Sequence, residues 1–145
     1  MTDEQFDFLM DVSAAFERLN EATSKIQGLR TEVDSLMRPL EGRAGREVEE
    51  AAERVRVGLL EVEEALIQTR PGGWANEPKI RGHLSWVATA ASSQRGILYD
   101  ARPTDQLWER YFDLDTELGL KIGLLERLVE IEMRQLREML RGITD

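Results

Sequence analysis

Two stretches of this chain carry apolar residues at steps of three and four, each over roughly 35 residues, or on the order of 50 Å of α-helix. The first runs through Leu9, Val12, Phe16, Leu19, Ala22, Ile26, Leu29, Val33 and Leu36. The second runs through Leu107, Tyr111, Leu114, Leu118, Ile122, Leu125, Val129, Met133, Leu136 and Leu140. A rod of that length gains its stability by laying the apolar stripe against other elements. Two such rods in 145 residues leave room for little besides further helices.

The punctuation divides the chain into four. Thr2 is placed to cap a first helix beginning at Asp3, with Gln5 at the capping-box position. Adjacent steps of three at Leu19 and Ala22 predict local overwinding. The more polar segment from Asn20 to Gly28 is expected to be the weakest part of that helix. Pro39, Gly42 and Gly45 mark a turn. A second helix is expected from Arg46 to Gln68, with Val48, Ala51, Val55, Leu59, Val62 and Leu66 as its stripe. Glu-Val-Glu-Glu-Ala occurs at Glu47 to Ala51 and again at Glu61 to Ala65, two heptads apart, which is a coiled-coil pattern. Arg70 to Pro78, with Pro71, Gly72, Gly73 and Trp74, breaks regular structure. A third helix is expected from Lys79 to Tyr99. Thr104 then caps a fourth, and Gly142 is its expected stop.

The third helix has two distinct sides. Ile80, Leu84, Val87, Ala91 and Leu98 form an apolar side, whereas Gly82, Ser85, Thr89, Ser92 and Gly96 form a side of small residues. Such a helix is expected inside a bundle, approached closely from both flanks. Gly119 and Gly123 each cost about 1 kcal/mol of helix stability relative to Ala. A close backbone crossing, onto the small side of the third helix, would offset it. The expected fold is therefore all-α, an antiparallel up-down-up-down four-helix bundle in a single domain over residues 1–145. Its first and last helices are long and outermost, and the other two are shorter. The length mismatch leaves apolar overhangs, which a second copy would cover most simply.

The formal net charge of -9 repels phosphate backbones, so nucleic acid is not an expected partner. The sequence contains no cysteine, hence no disulfide or thiolate site. No apolar run is long enough to span a bilayer. The first residues carry no signal-peptide pattern. A complete chain would on that basis be cytoplasmic.

Catalytic constellations are weak. His83 is the only histidine and lacks the Glu-x-x-His pairing of di-metal bundles, so it reads as a half-exposed helix residue. Glu47 with Glu50, and Glu61 with Glu64, have the Glu-x-x-Glu spacing of all-α nucleotide pyrophosphohydrolases that hold magnesium. The pairs lie fourteen residues apart on one helix, roughly 21 Å, too far to share one cluster. Arg127, Arg134, Arg137 and Arg141 alternate with Glu126, Glu130, Glu132 and Glu138, which reads as a surface laced by ion pairs. No metal ligand, catalytic residue or cofactor is assigned.

Glu77 to Leu84, Tyr99 to Gln106 and the region from Leu114 to Leu118 resemble the C-terminal helical region of bacterial sortilin-like, Asp-box β-propeller proteins, a glycosyl-hydrolase-like family. Leu84, Trp86-Val87, Ser92-Ser93, Asp100-Ala101, Pro103-Thr104, Gln106 and Asp115 to Leu118 carry the likeness. The loop before the third helix departs from that family, and the propeller, where its catalytic residues would lie, has no counterpart in this sequence. The resemblance implies a helical accessory or assembly module.

The expectation is thus a non-catalytic structural or interaction module that associates with itself as a dimer or with a partner protein. Trp74, Trp108, Arg102, Gly119 and Gly123 are its candidate interaction residues. A magnesium-dependent nucleotide pyrophosphohydrolase and a peptide- or helix-binding bundle gripping its partner through Trp74 are the alternatives.

Overall fold

A computed structural model describes residues 2–69, 79–93 and 103–144. Among them the chain is all-α, four helices with the longest at the two ends. Helix α1 is Asp3–Met37, followed by a 3-10 turn at Arg38–Leu40; α2 is Arg46–Leu66 and α3 is Ile80–Ser93. The last rod consists of α4, Asp105–Leu128, a π turn at Val129–Met133, and α5, Arg134–Thr144.

The caps fall where side chains offer acceptors. Thr2 accepts from the amide of Gln5 at 3.0 Å and Thr104 from that of Leu107 at 3.2 Å. Each satisfies one of the amides that a helix start leaves bare. Gln5 does not complete the capping box. Its side chain is buried and its Nε2 donates to the carbonyl of Ala91, 3.0 Å away near the end of α3. Gly42 takes a φ of 76° in the first corner, a conformation in which other side chains are strained. Gly142 does not stop the last helix, which continues to Thr144. At α2 the helix ends earlier than expected, with Ile67 already extended.

Contacts between helices fix their directions. Phe8 meets Trp108, the Tyr111 hydroxyl donates to the Asp11 carbonyl, Arg18 pairs with Asp115 and Arg137 with Glu32. The numbers rise together, so α4 and α5 run alongside α1 in the same direction. Arg30 pairs with Glu63 and Arg56 with Asp34, so α2 runs against α1. Gln5 bonds to Ala91 and Asn20 to Arg81, so α3 also runs against α1. The two short helices thus occupy one row, α2 beside the C-terminal half of α1 and α3 beside its N-terminal half. Direction reverses between α1 and α2 and between α3 and α4, but not between α2 and α3. Thirteen residues separate Leu66 from Ile80. A connection of that length does not force a hairpin, as a tight turn does.

This arrangement accounts for the unequal lengths. The two short helices in series cover the long pair, and the buried stripe is continuous from Phe8 to Val33 in α1 and from Leu107 to Leu140 in the last rod. Among the described residues the buried stripes of the two long helices leave no overhang.

The stripe of α1 is rotated slightly from the expected one: Phe8 and Ala15 are buried, while Leu9 and Phe16 pack at its edge. The stripe of α2 is as expected. In the last rod, consecutive steps of four from Leu125 through Val129 to Met133 would carry an ideal α-helix off its seam. The π turn at Val129–Met133 absorbs the excess residue and keeps Met133, Leu136 and Leu140 buried. The interruption in helical winding therefore lies in the last rod, and α1 is one unbroken α-helix at Leu19 and Ala22.

The expectation for α3 is corrected. Ile80, Leu84, Val87 and Ala91 are buried, but Gly82, Ser85 and Thr89 are exposed. The helix buries one face against α1 and α4 and presents Gly82, Ser85 and Thr89 to solvent, with Ser92 half-buried. Leu98, Gly96 and the expected extension to Tyr99 lie outside the described residues.

Candidate interaction surface

Of the expected interaction residues, Trp108, Gly119 and Gly123 are described, and they do not form one site. Trp74 and Arg102 lie outside the described residues. Trp108 is half-buried on the seam between α1 and α4, where its ring meets Phe8 edge-on at 4.7 Å and stacks with Phe112 at 5.7 Å. Edge-on aromatic contacts of this kind stabilise a seam beyond their area. Tyr111 completes the cluster, 5.9 Å from Phe8. Burial pushes the Tyr111 phenol above its usual range, the carboxylates of Asp115 and Asp11 add to the shift, and Arg18 opposes it.

Gly119 and Gly123 do not mark a close crossing. A Cβ on Gly123 would meet nothing within 4 Å, and one on Gly119 would only touch the Arg18 guanidinium at 3.6 Å. The glycine at a close approach is Gly58 in α2, which sequence reasoning passed over. A Cβ there would stand 2.7 Å from Cδ1 of Leu128. The missing side chain leaves room that Leu128 of α4 takes up, and both residues line a hollow between α2 and α4.

That hollow holds about 310 Å³ and is lined by Gly58, Glu61, Val62, Lys121, Leu124, Arg127, Leu128, Ile131 and Glu132. It runs on along α2 into a shallower recess bounded by Glu50, Glu53, Arg54 and Val57. Val57, Leu124 and Ile131 are apolar and 45%, 49% and 55% exposed. Its walls differ in charge. Arg54 of α2 and Glu132 of the π turn bridge the floor at 3.2 Å and neutralise each other. Glu50 and Glu53 are paired within α2, with Arg46 and Arg56, so among the described residues the charges left unpaired on the walls are Glu61 on α2 and Lys121 and Arg127 on α4. The helical phase explains this: these charges occupy positions adjacent to the buried stripe on facing flanks of two antiparallel helices.

The other singled-out groups are spread out. Glu50 pairs with Arg46 at 3.0 Å, Glu47 and Glu61 are exposed, and among the described residues no three acidic or histidine side chains converge to hold a metal. His83 is half-buried on α3. The arginine-rich end of the last rod is tied partly within itself, Arg134 to Glu138 at 3.3 Å, and partly to α1, Arg137 to Glu32 at 2.7 Å. Glu63, absent from the sequence reasoning, is the buried carboxylate: 5% exposed, it receives two guanidinium bonds from Arg30, at 3.1 and 3.2 Å, and one amide bond from Gln27 at 2.9 Å. It locks α2 to α1. Its sequence signal was a glutamate next to Val62 in the apolar stripe.

No family model, curated protein or solved structure matches the chain. No described helix is long and apolar enough to cross a membrane.

Proposed function

We propose that this chain is a non-catalytic helical interaction module that works by associating with itself. The observation that supports the reading is the α2–α4 groove, where Val57, Leu124 and Ile131 keep about half of their apolar surface in water along the hollow and the recess that continues it. A contiguous apolar hollow rimmed by charge is the form of surface that proteins use to bind one another. A surface of this kind gains free energy when water leaves it. The resemblance to the helical tail of Asp-box propeller proteins points the same way, towards an assembly module that stands alone or serves a propeller.

Sedimentation equilibrium from micromolar to millimolar chain tests this. A reversible increase in mass with concentration is expected. A monomer at every concentration would remove the reading.

A further inference from the structure

Resting on that reading, we infer that the occupant of the α2–α4 groove is a second copy of the same chain, held about a two-fold axis parallel to the helices. The charge on the two walls selects both the occupant and the axis.

Glu61, Lys121 and Arg127 line the hollow, and among the described residues none of the three makes an ion pair. The facing of Gly58 with Leu128 and of Arg54 with Glu132 puts Glu61 level with Leu125, between Lys121 and Arg127 along the opposite wall. Two copies facing each other can be related in two ways. An axis across the helices lays α2 on α2 and α4 on α4, so that the unpaired Glu61 is set against the α2 wall of the second copy, and Lys121 and Arg127 against its α4 wall, each wall meeting its own sign. Like charges brought together at an interface oppose association. An axis along the helices lays α2 of each copy on α4 of the other at the same height. Glu61 then faces Lys121 and Arg127 of the second copy, and Val57 faces its Leu124 and Ile131. Both charge contacts occur twice, as an isologous interface requires. One surface thus carries both halves of its own complement.

The area agrees with a reversible dimer. A face as long as α2, about 30 Å, and two helices wide, about 20 Å, buries roughly 600 Å² per copy, at the lower edge of specific interfaces.

Sedimentation of charge-reversed full-length variants, with circular dichroism to verify that each folds, provides the test. Glu61→Lys is expected to weaken the dimer about tenfold or more, as is the pair Lys121→Glu and Arg127→Glu. Combining all three reversals restores the complementary walls and is expected to return the affinity to within about threefold of the starting chain. Ile131→Asp, which buries a charge, is expected to weaken it about a hundredfold. The chain contains no cysteine, so single cysteines report the axis. A mixture of Val57→Cys and Ile131→Cys chains is expected to crosslink under mild oxidation, and Val57→Cys alone is not. Val57→Cys crosslinking to itself would place the axis across the helices and overturn the inference. A dimer indifferent to all these substitutions would leave self-association standing but move it to another face, with the groove left for a different helix. A monomeric starting chain would remove the self-association itself.

Discussion

The two short helices lie in the same row, against the same pair of long helices, and yet are held in different ways. Helix α2 is locked by a partly buried ion pair, the buried Glu63 with the half-buried Arg30, and its other flank opens into the groove beside α4. Helix α3 is fixed by four buried apolar residues and by the bond from Gln5 to the Ala91 carbonyl, and its outward side carries Gly82, Ser85, Thr89 and the 63% exposed Trp86. A bundle can therefore satisfy the same long stripe with two unlike covers. The cover tied to α1 by the Glu63–Arg30 ion pair is also the one whose other flank borders the hollow beside α4.

The largest expected effect breaks the tie on α2. Arg30→Ala leaves the Glu63 carboxylate buried beside only Gln27, and a loss of about 2–3 kcal/mol in urea unfolding is expected; Arg30 keeps about a third of its side chain in water, which moderates the cost. The corresponding cut on α3 is smaller. Gln5→Ala orphans the Ala91 carbonyl near a helix end, and about 1–2 kcal/mol is expected, with faster amide exchange confined to α3 and the start of α1. Equal losses at the two sites would erase the contrast between the two helices.

The apolar stripes and caps were legible because each depends on a few neighbouring residues. Thr2, Thr104 and the buried positions of α2 follow from helical period and hydrogen-bond chemistry alone. Direction was less legible. It depends on whether the chain between Leu66 and Ile80 turns back, and a stretch rich in Pro and Gly forbids a helix without saying where the next one goes. The small residues of α3 misled for a related reason: small side chains permit a close neighbour but do not summon one. The same logic separates Gly119 and Gly123, which have open space or an arginine tip beside them, from Gly58, whose space Leu128 fills. The groove was not legible at all. Its walls come from helices about 70 residues apart in the chain, and only packing brings Glu61 level with Lys121 and Arg127.

Gly123→Ala sharpens that distinction. With nothing within 4 Å to oppose the methyl group, a gain of about 1 kcal/mol in stability is expected from helix propensity. A loss would reveal a hidden close contact on α4. The smallest effect belongs to the aromatic seam. The folded state holds the Tyr111 phenol in its neutral form to higher pH than the unfolded chain does. In the unfolded chain the phenol ionises near about pH 10. The stabilisation is therefore complete below that pH and is lost as pH rises towards the folded value. Tyr111→Phe is expected to flatten this alkaline decline, measured by unfolding at a series of pH values.

The most direct measurement is methyl NMR with a soluble paramagnetic agent, recorded on dilute and on concentrated chain. Val57, Leu124 and Ile131 are expected to be strongly broadened when dilute and shielded when concentrated, while Val87 and the alanines of α3 stay unchanged between the two conditions. Groove methyl groups that remain equally broadened at high concentration, or shielding that appears on α3 instead, would contradict the division of labour between the two short helices.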